Sequence, residues 1–193
     1  MVMASLAVCA LVTSCSSGQP ATRRTTTVTV TPTPSTPATS DPSTTGTPTA
    51  APATPPKSYA EAEQHFAAGQ LDTAAGSGFT SPSGNIFCSI STDNGAPPAG
   101  CELKSGRIAP AADYCAGAAA PDIGRIELTA AGPKAVCNSD SIVQVGVPVL
   151  KYGAIAAVDS SPFRCLSETI GMTCLDVSAK KGFFIARSSY TIF

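Results

Sequence analysis

The stretch FTSPSGNIFC, residues Phe79–Cys88, joins a turn to the start of a strand. Its residues Ser81–Gly84 follow the preferences of a type I β-turn, with Ser first, Pro second and Gly fourth. Beyond the turn, Ile86, Cys88 and Ile90 alternate with other residues, and this period of two places them on one face of a strand. The stretch therefore predicts a strand-initiating corner rather than a catalytic loop.

The rest of the C-terminal region continues this pattern. From Gly78 onward, short alternating runs are separated by Gly, Pro, Asn and Asp, which is typical of an all-β domain. In the clearest run, Ile126 and Leu128 alternate with more polar residues. We therefore predict a mainly β fold, with a small antiparallel domain at 73–193. Further strands are expected around Cys101, at 135–137, at 147–152 with Pro148 indicating an edge, at 163–165, at 172–174, at 182–187 and at 190–193.

Six cysteines occur in this domain, an even number that suits three disulfides. Behind an export signal, such a set indicates an oxidising compartment. A zinc site is the competing interpretation, but it would favour C-x2-C pairs with His partners, which the sequence lacks. Six cysteines allow fifteen pairings. The predicted strand order favours neighbours, which gives the pairs Cys88–Cys101, Cys115–Cys137 and Cys165–Cys174.

A short helix is predicted in front of the domain, within residues 58–72. Ser58 and Glu61 fit a capping box, in which a Ser at the N-cap is followed three residues later by Glu. The helix is expected to run to about Ala68. One of its faces is apolar and is expected to dock against the domain; that face carries Tyr59, Ala62 and Phe66.

The N-terminal residues predict export and lipidation. Residues 2–12 are almost wholly apolar, which fits the hydrophobic region of a signal peptide at 1–14. The next stretch, Val12–Cys15, resembles a bacterial lipobox, so Cys15 is expected to become a lipidated N-terminus. The triplet Val8–Ala10 could instead serve as an ordinary cleavage site. With the lipid anchor, the protein would lie on the extracytoplasmic face of the cell membrane, in the cell envelope.

A Thr/Pro-rich stalk is predicted between the lipid site and the helix, at 15–57. Residues 16–57 contain 14 Thr, 9 Pro and 5 Ser but only four charged residues. Such a segment has too little apolar surface to offset the entropy of ordering it, so it is expected to be disordered. Stalks of this composition are frequent O-glycosylation substrates, and an unmodified spacer is the alternative.

Composition argues against several functional classes. The chain has 12 Lys+Arg against 13 Asp+Glu and no basic cluster, so a nucleic-acid partner is not expected. The single histidine, His65, is predicted to be a solvated helix residue without a catalytic or metal-binding partner. A phosphate-binding Gly-rich loop with a following Lys is absent from the sequence. Neither a metal nor a cofactor is therefore predicted, and enzymatic activity is not favoured.

Several spaced stretches together carry a family resemblance over about 79–193. The stretches are FTSPSGNIFC at 79–88, GCEL at 100–103, AVCNSDS at 135–141, LKYG at 150–153, FRC at 163–165, GMTC at 171–174 and GFFIARSSY at 182–190. With them the chain resembles a family of unknown function among the secreted and lipoprotein domains of mycobacterium-like actinobacteria, marked by F-x-S-P-S-G-N-I-x-C. The resemblance implies an envelope protein but brings no catalytic residue with it.

Three functions remain open at the level of the sequence. We favour a binding or interaction module at the cell wall, whose partner would be a cell-wall glycan or an envelope protein. Asn138 and Asp140 are candidate ligand contacts, although an Asx-type turn is the better-supported explanation for them. A hydrolase that cleaves an envelope glycan with two carboxylates is the first alternative. A purely structural surface lipoprotein is the second.

Overall fold

The computed structural model describes residues 54–92 and 98–193 of the chain. The predicted signal peptide, Cys15 and nearly all of the predicted stalk lie outside these residues. No helix in the described part is long and apolar enough to cross a membrane. The elements are α1 (Tyr59–Ala67), β1 (Gln70–Leu71), β2 (Gly78–Thr80), β3 (Ile86–Ile90), β4 (Ala99–Leu103), β5 (Ile123–Thr129), β6 (Gly132–Cys137), β7 (Ala154–Ala157), β8 (Phe163–Glu168), β9 (Gly171–Asp176), β10 (Lys181–Ala186) and β11 (Ser189–Ile192).

The strands form two sheets that enclose a shared core, which confirms the predicted mainly β fold. One sheet has the order β1-β7-β8-β9-β10-β11 and the other has the order β2-β3-β4-β5-β6. Strand β1 pairs with β7 in parallel. The remaining strand ladders are antiparallel. Apolar side chains of both sheets meet in one cluster that includes Phe79, Ile126, Met172 and Phe183. The domain is therefore a β-sandwich.

The corner at the start of β3 has the predicted geometry. The Gly84 amide donates a hydrogen bond of 2.8 Å to the Ser81 carbonyl, which closes the turn. Gly84 has a φ of 68°, a left-handed conformation that glycine adopts at little cost. The Ser81 hydroxyl then accepts from the Ile86 amide at 3.1 Å, so it links the turn to the first residue of the strand. Ile86, Cys88 and Ile90 are all buried, as their alternation predicts.

Three disulfides connect the strands and loops, and they are the pairs that strand order predicts. Cys88–Cys101 joins directly opposed residues of β3 and β4. Cys165–Cys174 does the same between β8 and β9. Cys115–Cys137 ties the loop before β5 to the end of β6. The Sγ atoms of Cys101 and Cys174 lie 3.4 Å apart in the core, so the two strand-linking disulfides touch across the sandwich.

Helix α1 starts where its capping residues predict. The Ser58 hydroxyl accepts a 3.2 Å hydrogen bond from the Glu61 amide, and the Glu61 carboxylate accepts from the Lys57 amide at 2.8 Å. The prediction for His65 is wrong, however. The His65 side chain is buried, with 3% of its surface exposed, and its Nδ1 lies 2.8 Å from the Glu168 carboxylate, within hydrogen-bond distance. Since a buried polar group needs a partner, the carboxylate explains how a histidine is accommodated on the inward face.

The predicted strand at 147–152 is also wrong. This segment forms only an isolated parallel bridge, between Val149 and Thr80 of β2. Thr80 donates to the Pro148 carbonyl at 3.0 Å and accepts from the Leu150 amide at 2.9 Å. Because Pro148 has no N–H to donate, the segment cannot extend the ladder there. The strand of this region is β7 instead, which begins four residues after Leu150.

The turn between β9 and β10 is fixed by one carboxylate. Asp176 accepts from the amides of Ser178 and Ala179, at 2.9 and 3.0 Å, and from the Ser178 hydroxyl at 2.6 Å. Partial burial acts to raise the pKa of Asp176, but these hydrogen bonds outweigh it and lower the pKa below its ordinary value. The interaction is an Asx-type turn, so this carboxylate closes a hairpin and is not available for ligand chemistry.

Candidate functional site

A solvent-open cleft of about 230 Å³ lies at one end of the sandwich. We call it the end cleft. It draws residues from both sheets, and its lining mixes hydroxyl, amide, aromatic, charged and aliphatic side chains. The lining residues are Ser81, Ser83, Asn85, Ile86, Tyr152, Glu168, Thr169, Ile170, Gly171, Ala186 and Arg187.

The strand directions explain why these residues meet. In the six-stranded sheet, β8 is antiparallel to β9, and β9 is antiparallel to β10. The turn after β8 and the turn after β10 therefore lie at the same end of the sheet. Tyr152, which precedes β7, reaches this end as well, because β7 is antiparallel to β8. The turn between β2 and β3 supplies the opposing wall from the other sheet. Four of the stretches quoted for the family resemblance thus contribute to the cleft.

The Ser81–Asn85 loop forms a hydroxyl- and amide-bearing wall. The Ser81 and Ser83 hydroxyls are 3.0 Å apart, and Ser83 is solvent-exposed. The side-chain oxygen of Asn85 accepts from the Ser105 amide at 2.9 Å and from the Ser105 hydroxyl at 2.6 Å. These bonds fix the loop but leave the Asn85 NH2 group without a hydrogen-bond partner among residues 54–92 and 98–193. The wall therefore offers both donors and acceptors from a fixed frame.

Tyr152 and Arg187 are the two large side chains with exposed surface at the cleft. Tyr152 has 45% of its surface exposed. Arg187 is exposed, and within the described parts of the chain its guanidinium has no ion-pair partner. The start of its side chain lies against Gly106, where an added Cβ would come within 2.8 Å of the Arg187 Cγ. Gly106 also has a φ of 112°, so this close approach depends on glycine.

The carboxylate of Glu168 is held away from solvent by helix α1. His65 Nδ1 lies 2.8 Å from one oxygen of Glu168 and 3.1 Å from the other. Side-chain exposure is 3% for His65 and 7% for Glu168. Leu166, two residues before Glu168 on the same face of β8, packs beside Gly69 just after the helix. This buried His65–Glu168 contact therefore fastens α1 to the outer face of the six-stranded sheet.

The arrangement does not provide the paired carboxylates of a glycosidase. Glu168 is the only carboxylate in the described lining of the cleft, and His65 contacts both of its oxygens. Glycoside hydrolysis ordinarily requires a second carboxylate across the scissile bond. Among the residues that the structure describes, Glu168 is also the only buried acidic residue. The described lining of the end cleft offers hydrogen-bonding groups, one exposed guanidinium and one aromatic side chain.

The predicted ligand contacts Asn138 and Asp140 lie elsewhere, beside a depression of about 10 Å³. That volume admits about one water molecule. The Asn138 side chain packs over Gly124 and fills the space that a Cβ would need there. The Asp140 carbonyl accepts from Arg125 at 2.9 Å, and its side chain is exposed. The structure therefore places the two residues just after β6 and against β5, without forming a ligand-sized cavity.

A network of charged side chains holds the segment 140–142, which follows β6, against the neighbouring strands. Arg125 donates to Glu127 at 2.7 Å and lies 3.5 Å from Glu102. Glu102 in turn accepts from the Ser141 hydroxyl at 2.6 Å and from the Ile142 amide at 2.8 Å. Each charge is satisfied within the network, so these groups brace the strand-to-loop junction and are not free for a ligand.

Two other features have the spacing or the volume of a site. The Sγ atoms of Cys88, Cys101 and Cys174 lie within 4.8 Å of one another, a spacing that thiolate ligands of a metal could adopt. All three sulfurs belong to disulfides, however, and a disulfide sulfur is not a thiolate ligand. A broad depression of about 380 Å³ is formed within the 110–122 loop. Its walls are mostly Ala and Pro, and Asp122, its deeper carboxylate, is paired with Arg107.

Comparison with known proteins gives a family without a function. A model described as a family of unknown function, DUF6636, matches residues 66–193. The matched region begins within α1 and includes every described strand and all six paired cysteines. No curated protein and no solved structure matches the chain significantly.

Proposed function

The chain belongs to the DUF6636 family of unknown function, and from the end cleft we propose that its β domain is a ligand-binding module of the cell envelope. One observation carries the proposal. The cleft combines a half-exposed Tyr152, an Arg187 without an ion-pair partner in the described chain, and the hydroxyls of a braced loop. Convergence of a few polar groups around a concave surface is typical of ligand sites.

The rigid frame supports binding at this site. The loop that carries Ser83 is bonded to Ser105 and to the first residue of β3, and β3 is joined to β4 by a disulfide. A site whose geometry is fixed before binding loses less conformational entropy when the ligand arrives. The fixed geometry of this loop thus favours recognition of a ligand of defined shape over binding that requires the loop to rearrange.

We further propose that the module is anchored to the membrane through Cys15. The support is the apolar segment at 2–12, the Val12–Cys15 stretch and the Thr/Pro-rich sequence that follows it. Intact-mass and peptide analysis of the chain from its native membrane is expected to show Cys15 as the first residue, carrying a diacylglyceryl group. An N-terminus elsewhere, or an unmodified Cys15, would contradict the anchor.

Binding is best tested by sedimentation with insoluble cell-wall material. The full-length chain in detergent is expected to pellet with purified cell wall, and Tyr152→Ala is expected to weaken this binding about tenfold, since central aromatic contacts often dominate affinity. Val145→Ala is the matched control, because Val145 is 98% exposed and lies outside the cleft lining.

Two results would count against the proposed function. The first is that the chain remains in the supernatant at all cell-wall concentrations. The second is that Tyr152→Ala pellets as efficiently as Val145→Ala. Because Tyr152 is exposed and precedes the strand, its replacement is expected to leave the fold intact, which an unchanged thermal midpoint checks.

A further inference from the structure

We propose that the end cleft takes a saccharide unit that bears a carboxylate, with the carboxylate bound by Arg187 and the sugar ring against Tyr152. This inference rests on the proposed function and adds the chemical class of the ligand. It uses cleft groups that reach solvent or retain hydrogen-bonding capacity.

The charge of the cleft indicates an anionic group on the ligand. Its described lining contains one carboxylate, Glu168, and one guanidinium, Arg187. Glu168 is buried against His65, whereas Arg187 is exposed and unpaired among the described residues. Arginine presents parallel N–H donors that match a carboxylate, and such charge-assisted pairs are stronger than neutral hydrogen bonds. The charged group of the cleft that is free to bind a ligand is therefore the Arg187 guanidinium, which favours an anion.

The remaining groups suit a sugar ring. Tyr152 presents a partly exposed aromatic side chain, whose electron-rich face attracts the polarised C–H groups of a pyranose. The Ser83 hydroxyl and the Asn85 NH2 group lie in the same lining and can bond to sugar hydroxyls. The Ser81–Asn85 loop thus offers hydrogen-bonding groups for sugar hydroxyls, while Tyr152 offers an aromatic surface for the sugar ring.

The size and position of the cleft favour a saccharide over a peptide. The volume of about 230 Å³ lies below the usual range for drug-sized ligands, which begins near 300 Å³. Extended peptides are commonly bound along a sheet edge by main-chain hydrogen bonds. The end cleft lies instead between turns at the end of the sandwich, where such a ladder cannot form. A compact unit, such as one sugar of a longer glycan, fits this position.

The test compares two probes that differ by one carboxylate, methyl glucuronide and methyl glucoside. Both are titrated into the full-length chain in detergent and followed by NMR shifts of the protein. The glucuronide is expected to bind about tenfold more tightly, and Arg187→Ala is expected to remove that advantage while changing glucoside affinity less than about twofold. Tyr152→Ala is expected to weaken both probes. Lys134→Ala, an exposed cation outside the cleft lining, is the charge control.

N-acetylalanine serves as a third probe, since it carries a carboxylate and an amide but no sugar ring. Binding of N-acetylalanine as tight as that of the glucuronide, and insensitive to Tyr152→Ala, would overturn the saccharide in favour of a peptide terminus. Equal affinities for the two glycosides, with cell-wall binding that still depends on Tyr152, would overturn this inference and leave the proposed function standing. If neither glycoside binding nor cell-wall binding depended on Tyr152, this inference and the proposed function would both be overturned.

Discussion

Replacement of Cys88 and Cys101 together by alanine is expected to lower the free energy of unfolding by about 4–5 kcal/mol. The disulfide closes a segment with a sequence separation of 13 residues. In the chain-entropy description, loss of such a crosslink costs about 3 kcal/mol through the freedom that the unfolded chain regains. The remainder comes from packing, because the two sulfurs are fully buried and one of them touches Cys174.

The matched comparison is removal of Cys115–Cys137. That disulfide spans a longer segment, with a separation of 22 residues, but Cys137 is only partly buried. Chain entropy alone would make its loss the more costly of the two. The core position of Cys88–Cys101 predicts the reverse order. Guanidinium unfolding under non-reducing conditions, followed by circular dichroism, measures both double variants, and a larger loss for the Cys115–Cys137 pair would refute the packing contribution.

His65→Ala is the second substitution with a large expected effect, about 3–5 kcal/mol of lost stability at neutral pH. The change leaves the Glu168 carboxylate buried beneath helix α1 without its partner, 7% exposed at the side chain. It also releases the contact that fastens α1 to β8. A neighbouring change, Gln64→Ala on the exposed face of the helix, is expected to cost less than about 0.5 kcal/mol.

A double substitution distinguishes the effect of leaving the Glu168 carboxylate without its His65 partner from the effect of lost packing. His65→Leu combined with Glu168→Met replaces both partners by apolar groups, so no unpaired charge remains in the interior. This variant is expected to recover most of the stability lost in His65→Ala. Urea unfolding of the single and double variants provides the measurement. If His65→Ala were no more destabilising than Gln64→Ala, the buried pair would not fasten the helix.

Local chemistry made much of the fold predictable. The Ser-Pro-x-Gly order specified the turn at 81–84, and alternation specified the buried residues of β5 and, apart from Phe87, those of β3. The capping residues Ser58 and Glu61 specified the start of α1. Each of these signals lies within a few residues of the structure that it determines. Two of the disulfide pairings followed because β3 and β4, and likewise β8 and β9, are adjacent both in sequence and in their sheets.

The end cleft and the buried His65–Glu168 pair were not predictable from local sequence. His65 and Glu168 are 103 residues apart, and neither residue type is distinguished by its sequence neighbours. A lone histidine on a helix looks solvated until the carboxylate opposite it is known. The cleft likewise requires the ends of two sheets to be placed together, so the sequence predicts only a turn for the corner beginning at Ser81. The corner is both a strand start and one wall of the candidate site.

The most direct test of the central claim is to map where a cell-wall ligand contacts the domain. Soluble fragments released enzymatically from purified cell wall would be titrated into the isotopically labelled full-length chain carrying Cys15→Ala, which removes the lipidation site. The account predicts that the largest amide shift changes cluster at Ser83, Asn85, Tyr152, Thr169–Gly171 and Arg187. Shift changes centred instead on the 110–122 loop or on Asn138 and Asp140, with the end cleft unaffected, would contradict it.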